Sequence, residues 1–128
     1  MPLVRISLIK GKSPAYVRSV ADAAHRALHE TYQVPADDRF QVIEELDRQA
    51  LIYGTDYLGI HRTDDIVIIH VFAGNWRDTS TKQAFYARTV ALLSEAVGIR
   101  PEDVQIVITS NERADWSFGK GIASYVKT

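Results

Sequence analysis

Three stretches of the sequence carry groups that could do chemistry together, and the first is the start of the chain. Pro2 directly follows Met1. Methionine is normally removed before a residue as small as proline, and removal would leave Pro2 with a free secondary amine at the start of a strand. Because α-amino groups have an ordinary pKa of about 8, such an amine could act as an acid, a base or a nucleophile. Taken alone, Pro2 is better explained as an ordinary second residue.

The other two stretches are charged. Asp37 and Asp38 lie in "PADDRFQ" (35–41), and Arg77 lies in "GNWRDTSTK" (74–82), directly before a predicted helix. A guanidinium at a helix N-terminus suits a carboxylate ligand, since the backbone N–H groups there also favour an anion. The alternatives are a solvated acidic turn, and surface charge or an Arg77–Asp78 pair of little energetic value.

A further stretch, "ADWSFGKG" (114–121), is too polar for a core strand and too apolar for a solvated tail. Its Gly119-Lys120-Gly121 run lacks the glycine spacing and the following helix of a phosphate loop. We expect Trp116 and Phe118 to cover a pocket or a subunit boundary.

Composition excludes several classes of protein. There are no cysteines, so disulfides and thiolate zinc sites are ruled out. The net charge of −1 gives no general attraction to nucleic acid or to anionic lipid, and no stretch resembles a signal peptide or a membrane span. His25 and His29 are one helical turn apart but lack a third ligand, so they are interpreted as helix-surface residues, and His70 as a hydrogen-bonded core residue. A cytoplasmic location follows by default.

The periodicity of apolar residues predicts the strands and helices that must position these groups. Alternating residues predict strands over 2–9 and 39–46, and apolar β-branched residues predict a buried strand over 66–72 and another over 103–109. Ser13 and Pro14 begin one helix, and 79–97 forms a second that ends at Gly98. The apolar stripe of the second helix runs from Phe85 to Ala96. Residues 47–65 are expected to be a connection with a short edge strand.

This order is a β-α-β unit written twice. We predict an α+β fold with one domain over 1–128, in which halves at about 2–46 and 66–109 form a four-stranded mixed sheet and 110–128 is a tail. Both helices should cover one face of the sheet. Because the strand 66–72 is apolar at odd and at even positions, both of its faces should be buried, and the face without helices should contact another subunit.

Taken together, these stretches resemble the tautomerase superfamily, and within it the malonate semialdehyde decarboxylase group. The resemblance runs nearly end to end, and "DWSFG" is its most specific part. The shared stretches are the "PL" start, "DAAH" (22–25), "VPADDRFQ" (34–41), the strand 66–72, the arginine before "TSTKQAFY" (77–86), and "ADWSFGKG" (114–121).

The resemblance implies a role for each matching residue. Pro2 matches a catalytic proline, Asp38 an essential aspartate that positions or activates the reacting group or a water, and Arg77 an arginine that orients the substrate carboxylate. Trp116 and Phe118 match aromatic residues of the apolar wall of the pocket. Phe40 would belong to that wall too, where some members have tyrosine. Asn75 stands about where the better-studied decarboxylase has a second arginine.

The resemblance also implies an activity and an assembly. The implied reaction is cofactor-independent decarboxylation of a small 3-oxo acid such as malonate semialdehyde, in a homotrimer that needs no metal and binds neither nucleic acid nor membrane. One alternative is tautomerisation or hydration of 2-oxo acids such as phenylpyruvate, with Pro2 as general base. A further alternative is a ligand-binding or interaction domain without catalysis.

Overall fold

The fold was obtained as a computed structural model that describes residues 1–127. Two β-α-β units follow one another along the chain, as predicted. None of the helices in this part of the chain has the length and apolar character that crossing a membrane requires. The strands and helices are β1 (Leu3–Ile9), α1 (Pro14–Tyr32), β2 (Gln41–Leu46), β3 (Val67–Gly74), α2 (Thr79–Val97) and β4 (Val104–Asn111).

The four strands form one mixed sheet in the order β2-β1-β3-β4. Within each unit the two strands are parallel, because a helix connects them, whereas β1 and β3 join the units in an antiparallel pair. In that central pair Ile6 lies opposite Ile69. The predicted mixed sheet is therefore confirmed. Its order brings the starts of β1 and β2 to the same end of the sheet as the ends of β3 and β4.

The helices pack on one face of the sheet, where alternate residues of β1 and β3 are buried. Ser13 and Asp78 cap the two helices by accepting hydrogen bonds from the backbone N–H groups of Tyr16 and Thr81. Gly98 ends α2 in the left-handed conformation. The stripe predicted on α2 is buried as far as Leu93, but Ala96 is exposed. The largest side chains that are fully buried in the core are Phe85, Ile6, Leu28, Ile66, Ile69 and Leu93.

No helix covers the opposite face within the described residues, and its middle row crosses all four strands. Arg5 of β1 pairs in register with Val42 on one side and with His70 on the other, and His70 pairs with Val107. Val42 and Val107 remain 44% and 43% exposed. The prediction that His70 lies in the core is wrong. His70 does make a hydrogen bond, 2.7 Å long, to the Thr109 hydroxyl, but it lies on the uncovered face because strand residues alternate between faces.

The connection between the two units contains no strand, which corrects the expected edge strand in 47–65. Instead it forms two short 3-10 turns, at Arg48–Ala50 and Tyr57–Gly59. The backbone polar groups find partners other than a neighbouring strand: the Arg62 guanidinium alone donates to three carbonyls of this segment. Buried Asp103 anchors the end of the connection by accepting hydrogen bonds from the backbone N–H and the hydroxyl of Thr63, both 2.7 Å long.

Candidate active site

The amino terminus lies buried beside a carboxylate. Met1 is only 6% exposed, Pro2 is also buried, and the Met1 ammonium forms an ion pair with Asp38. Asp38 is held in a tight turn in which its backbone N–H donates to the carbonyl of Pro35 over 3.0 Å. The chain then enters β2 beside the start of β1, where the Val4 N–H donates to the carbonyl of Phe40. This pairing places Asp38 next to the amino terminus.

The surroundings of this amino group favour its neutral form. Burial, and after it the positive charge of Arg77, lower the pKa of the Met1 ammonium from 8.0 to about 6, even though Asp38 faces it. A positive charge lowers this pKa only over a limited distance, so Arg77 lies in the neighbourhood of the amino terminus. After Met1 is removed, a secondary amine at the Pro2 nitrogen would be exposed to the same charges, those of Asp38 and Arg77.

Arg77 has no acidic partner among residues 1–127. Asp78, its expected neighbour in a surface pair, is used instead as the cap of α2, where its carboxylate accepts from the Thr81 N–H at 2.9 Å. The Arg77 guanidinium lies over the Tyr32 ring, 4.8 Å from its centre, and donates to the Tyr32 carbonyl at 3.3 Å. Its Nη1 is buried and has no hydrogen-bond partner in the part of the chain that the structure describes. Such a donor is costly in the unliganded protein, so an anionic ligand would be favoured here.

The end of β3 fixes the approach to Arg77. The Trp76 ring lies directly on the backbone of Gly74, where an added Cβ atom would be 1.9 Å from the ring. Only glycine leaves room for this contact. Asn75 is exposed, and its backbone N–H donates to the carbonyl of Asn111 over 2.8 Å, which ties the ends of β3 and β4 together.

The segment 114–121 builds an aromatic cluster. The ring of Phe118 stacks on Trp116 with centres 5.4 Å apart, and contacts Phe40 at 5.6 Å and Tyr125 at 5.4 Å. Trp116 is held by a 2.7 Å hydrogen bond from its Nε1 to the side chain of Asn111. Phe40 follows Asp38 by two residues and thus connects this aromatic cluster to the charged site.

The glycine-containing turn returns the tail to this cluster. Gly119, Lys120 and Gly121 all have positive φ, between 62° and 146°, which favours glycine at the two outer positions. The Ser124 hydroxyl then accepts from the Phe118 N–H at 2.9 Å. Sequence reasoning missed Tyr125. The available signal was an aromatic residue just beyond a turn that reverses the chain.

Tyr32 is a second missed residue. It ends α1, is buried, and packs on Phe85 with ring centres 5.4 Å apart. Burial raises the pKa of its hydroxyl to about 12, so the group stays neutral, and the hydroxyl has no hydrogen-bond partner within residues 1–127. Helical spacing predicted only the apolar side of α1 and carried no information about an arginine stacking on its last residue.

The histidines of α1 serve the fold. His25 and His29 bond to the carbonyls of Ala36 and Val34, at 2.9 Å and 2.7 Å, and so hold the loop that leads to Asp38. Over residues 1–127, no three histidine, aspartate or glutamate side chains converge as they would around a metal ion.

Fold and site together define a class of protein, a tautomerase-like enzyme built from doubled β-α-β units, and the comparisons agree. A family model described as a tautomerase enzyme matches residues 38–119, and a second of the same description matches residues 2–60. The chain belongs to the tautomerase family, and it is an enzyme of this superfamily.

Particular relatives are similar over nearly the whole chain. The probable tautomerase YusQ of Bacillus subtilis (strain 168) is 35% identical, over 99% of this chain and 100% of the relative. A solved malonate semialdehyde decarboxylase is 32% identical with a TM-score of 0.91, covering 96% of this chain and 95% of that one. The FG41 malonate semialdehyde decarboxylase inhibited by 3-bromopropiolate is 41% identical with a TM-score of 0.91, covering 96% and 93%.

Proposed function

We propose that this enzyme decarboxylates a small 3-oxo acid such as malonate semialdehyde, using the Pro2 amine exposed after Met1 is removed. The observation that carries the proposal is Arg77. Among residues 1–127 it is a half-buried cation with an unpartnered N–H donor and no ion-paired carboxylate, and its charge lowers the pKa of the amino group that faces Asp38. A cation in this position can bind the carboxylate of a substrate whose carbonyl meets the amine.

Removal of Met1 has two consequences for the site. It converts the Pro2 nitrogen from an amide, which is neither basic nor nucleophilic, into a secondary amine. It also vacates the buried volume that the Met1 side chain fills. The substrate would occupy that volume, between Asp38 and Arg77.

The proposed reaction proceeds through an iminium ion. Neutral Pro2 adds to the aldehyde carbon and water leaves, so the cationic nitrogen becomes an electron sink β to the carboxylate. The bond to the carboxylate then breaks, CO₂ departs, and its bonding electrons form an enamine. Protonation of the enamine carbon and hydrolysis of the new iminium release acetaldehyde and regenerate Pro2. The lowered pKa of the Met1 ammonium supports this route, because the same surroundings would favour the neutral Pro2 amine that addition requires.

Asp38 and the aromatic cluster have distinct roles in this scheme. The Asp38 carboxylate, beside the amine, is suited to hold a water or accept its proton during hydrolysis. Phe40 and Phe118 supply an apolar wall, and Trp116 supports Phe118 from behind. Such a wall favours a step in which a charged carboxylate becomes neutral CO₂. Asn75 contributes through its backbone, and we propose that its exposed side chain contacts the substrate at the mouth of the site.

The solved relatives support the choice of chemistry. One was described as a structural basis for decarboxylase and hydratase activities, and that work includes a variant in which the proline at its first position is replaced by alanine. The FG41 enzyme is inhibited by 3-bromopropiolate, itself a small three-carbon carboxylate. The first relative favours a role for the proline, and the second favours a small carboxylate as the ligand.

Tautomerisation or hydration of a 2-oxo acid is the second candidate. In this reaction neutral Pro2 would act as a general base and move a proton between carbon and oxygen. The low pKa of the amino group favours a base as much as a nucleophile, and the similarity to probable tautomerases points the same way.

We also propose that the enzyme works as a homotrimer. The uncovered sheet face carries the exposed side chains of Val42 and Val107. Its polar residues already bond to one another, in the hydrogen-bonded pairs Arg5–Glu44 and His70–Thr109. Such a face is better buried against other copies of the chain than left in water.

One set of assays tests the proposal. The intact mass shows whether Met1 is removed, and processed protein is then given malonate semialdehyde and phenylpyruvate. Pro2→Ala, whose start is also open to processing, should lose most of the decarboxylation, and borohydride should trap a two-carbon adduct on Pro2 in the wild type. Arg77→Ala should lose decarboxylation. If this variant keeps tautomerisation, the result favours decarboxylation as the reaction that depends on Arg77. A processed enzyme that turns over neither substrate, or an unchanged Pro2→Ala, contradicts the role of Pro2.

A further inference from the structure

A second arginine lies beside the proposed substrate site. Arg113 is in the short turn after β4, and its guanidinium carbon is 4.3 Å from the centre of the Trp76 ring. The guanidinium carbon of Arg77 is 4.9 Å from the centre of the same ring. The two cations are therefore no farther apart than the sum of these distances, although one precedes α2 and the other follows β4.

The position of Arg113 is built into the ends of β3 and β4. The Trp76 ring is fixed against Gly74, and the backbone hydrogen bond from Asn75 to Asn111 joins the two strand ends. Arg113 follows Asn111 by two residues, so the turn presents it to the Trp76 ring.

Neither arginine is neutralised within residues 1–127. Arg77 and Arg113 form no ion pair there, and the acidic neighbours of Arg113 are engaged elsewhere. The carboxylates of Glu112 and Asp115 accept hydrogen bonds from each other's backbone N–H groups in a capping box. Burial lowers the pKa of the Arg77 guanidinium, and the charge of Arg113 adds to this effect. Two cations that both lie against the Trp76 ring, with no counter-charge among residues 1–127, favour an anion that can reach both.

We propose that Arg113 is a second anion-binding residue of this site, which extends its substrate class to oxo acids with a second anionic group. The inference rests on the proposed function for the location of the substrate. In such a substrate one carboxylate pairs with Arg77, and the second reaches Arg113 at the edge of the Trp76 ring. Oxo acids with one carboxylate bind through Arg77 alone.

Binding of two unreactive acids tests this without any turnover. Succinate and butyrate have the same chain length and differ in the second carboxylate. Their dissociation constants are measured by calorimetry on protein whose mass shows removal of Met1. Wild type should bind succinate about tenfold more tightly than butyrate, as expected for one added charge-assisted contact. Arg113→Gln should abolish this preference and change butyrate binding less than about twofold.

Two further variants make the result decisive. Arg113→Lys keeps the charge and should keep most of the preference, and Arg18→Gln, on the exposed side of α1, should change neither constant. The proposal is overturned if wild type shows no preference, if Arg113→Gln weakens both acids equally, or if Arg113→Lys behaves like Arg113→Gln. Selective succinate binding together with a fully active Pro2→Ala variant would instead overturn the proposed function alone.

Discussion

Replacing Arg77 with glutamine should raise the pKa of the amino group at the start of β1. In the structure the pKa of the Met1 ammonium is lowered from 8.0 to about 6, with burial as the larger cause and the charge of Arg77 as the smaller, and we expect the same two causes to act on the Pro2 amine once Met1 is removed. Arg77 therefore accounts for less than half of the decrease. Its loss should raise the pKa by at most about 1, which corresponds to about 1.4 kcal/mol of interaction with the ammonium form.

The processed protein offers a direct assay. The chain contains four prolines. With [¹⁵N]proline labelling, only Pro2 would carry a titratable amine, because the other three nitrogens are tertiary amides. Following the ¹⁵N shift of Pro2 with pH gives its pKa in wild type and in Arg77→Gln. Arg18→Gln, on the exposed side of α1, should leave it unchanged. Asp38→Asn should lower it because the carboxylate stabilises the ammonium.

The sign of the change decides the outcome. Below its pKa the amine is protonated and cannot add to a carbonyl, so Arg77→Gln should also move the acidic limb of any remaining activity to higher pH. An unchanged or lower pKa in Arg77→Gln would show that Arg77 does not act on the nitrogen. The shared site of Pro2, Asp38 and Arg77 would then be wrong.

Three further changes test the surrounding structure. Gly74→Ala should lower the free energy of unfolding by about 1–3 kcal/mol in urea titrations, because its Cβ atom would overlap the Trp76 ring. The control Gly54→Ala should leave the free energy of unfolding nearly unchanged. Equal effects of the two variants would contradict the contact between Gly74 and Trp76. Val107→Asp should turn the proposed trimer into monomers in light-scattering measurements, since it places a charge on the uncovered sheet face, and an intact trimer would exclude that face as the interface. Phe118→Ala should lower kcat/KM for decarboxylation about tenfold or more with little loss of stability, because the residue is 39% exposed; unchanged kinetics would remove it from the pocket wall.

Local patterns determined much of the fold. Alternation and helical spacing are properties of neighbouring residues, so strands and helices could be predicted within a few positions. The Ser13 cap and the Gly98 stop depend on a single turn of backbone, and both were predictable for that reason. The edge strand expected in 47–65 is absent, because the sequence of a segment does not show whether a neighbouring strand is available for pairing.

The sequence by itself determined which chemical groups are present: a proline that can carry an amine, a carboxylate at 38, a guanidinium at 77, and aromatic rings near the end of the chain. Only the tertiary structure decided which of these groups lie close enough to act on one another electrostatically. The order β2-β1-β3-β4 brings the start of β1, the turn before β2 and the loop after β3 to one end of the sheet. It also brought Arg113 to Trp76 and put His70 on the uncovered face. Those contacts join residues far apart in the chain, and their formation depends on strand order and register, which no local pattern encodes.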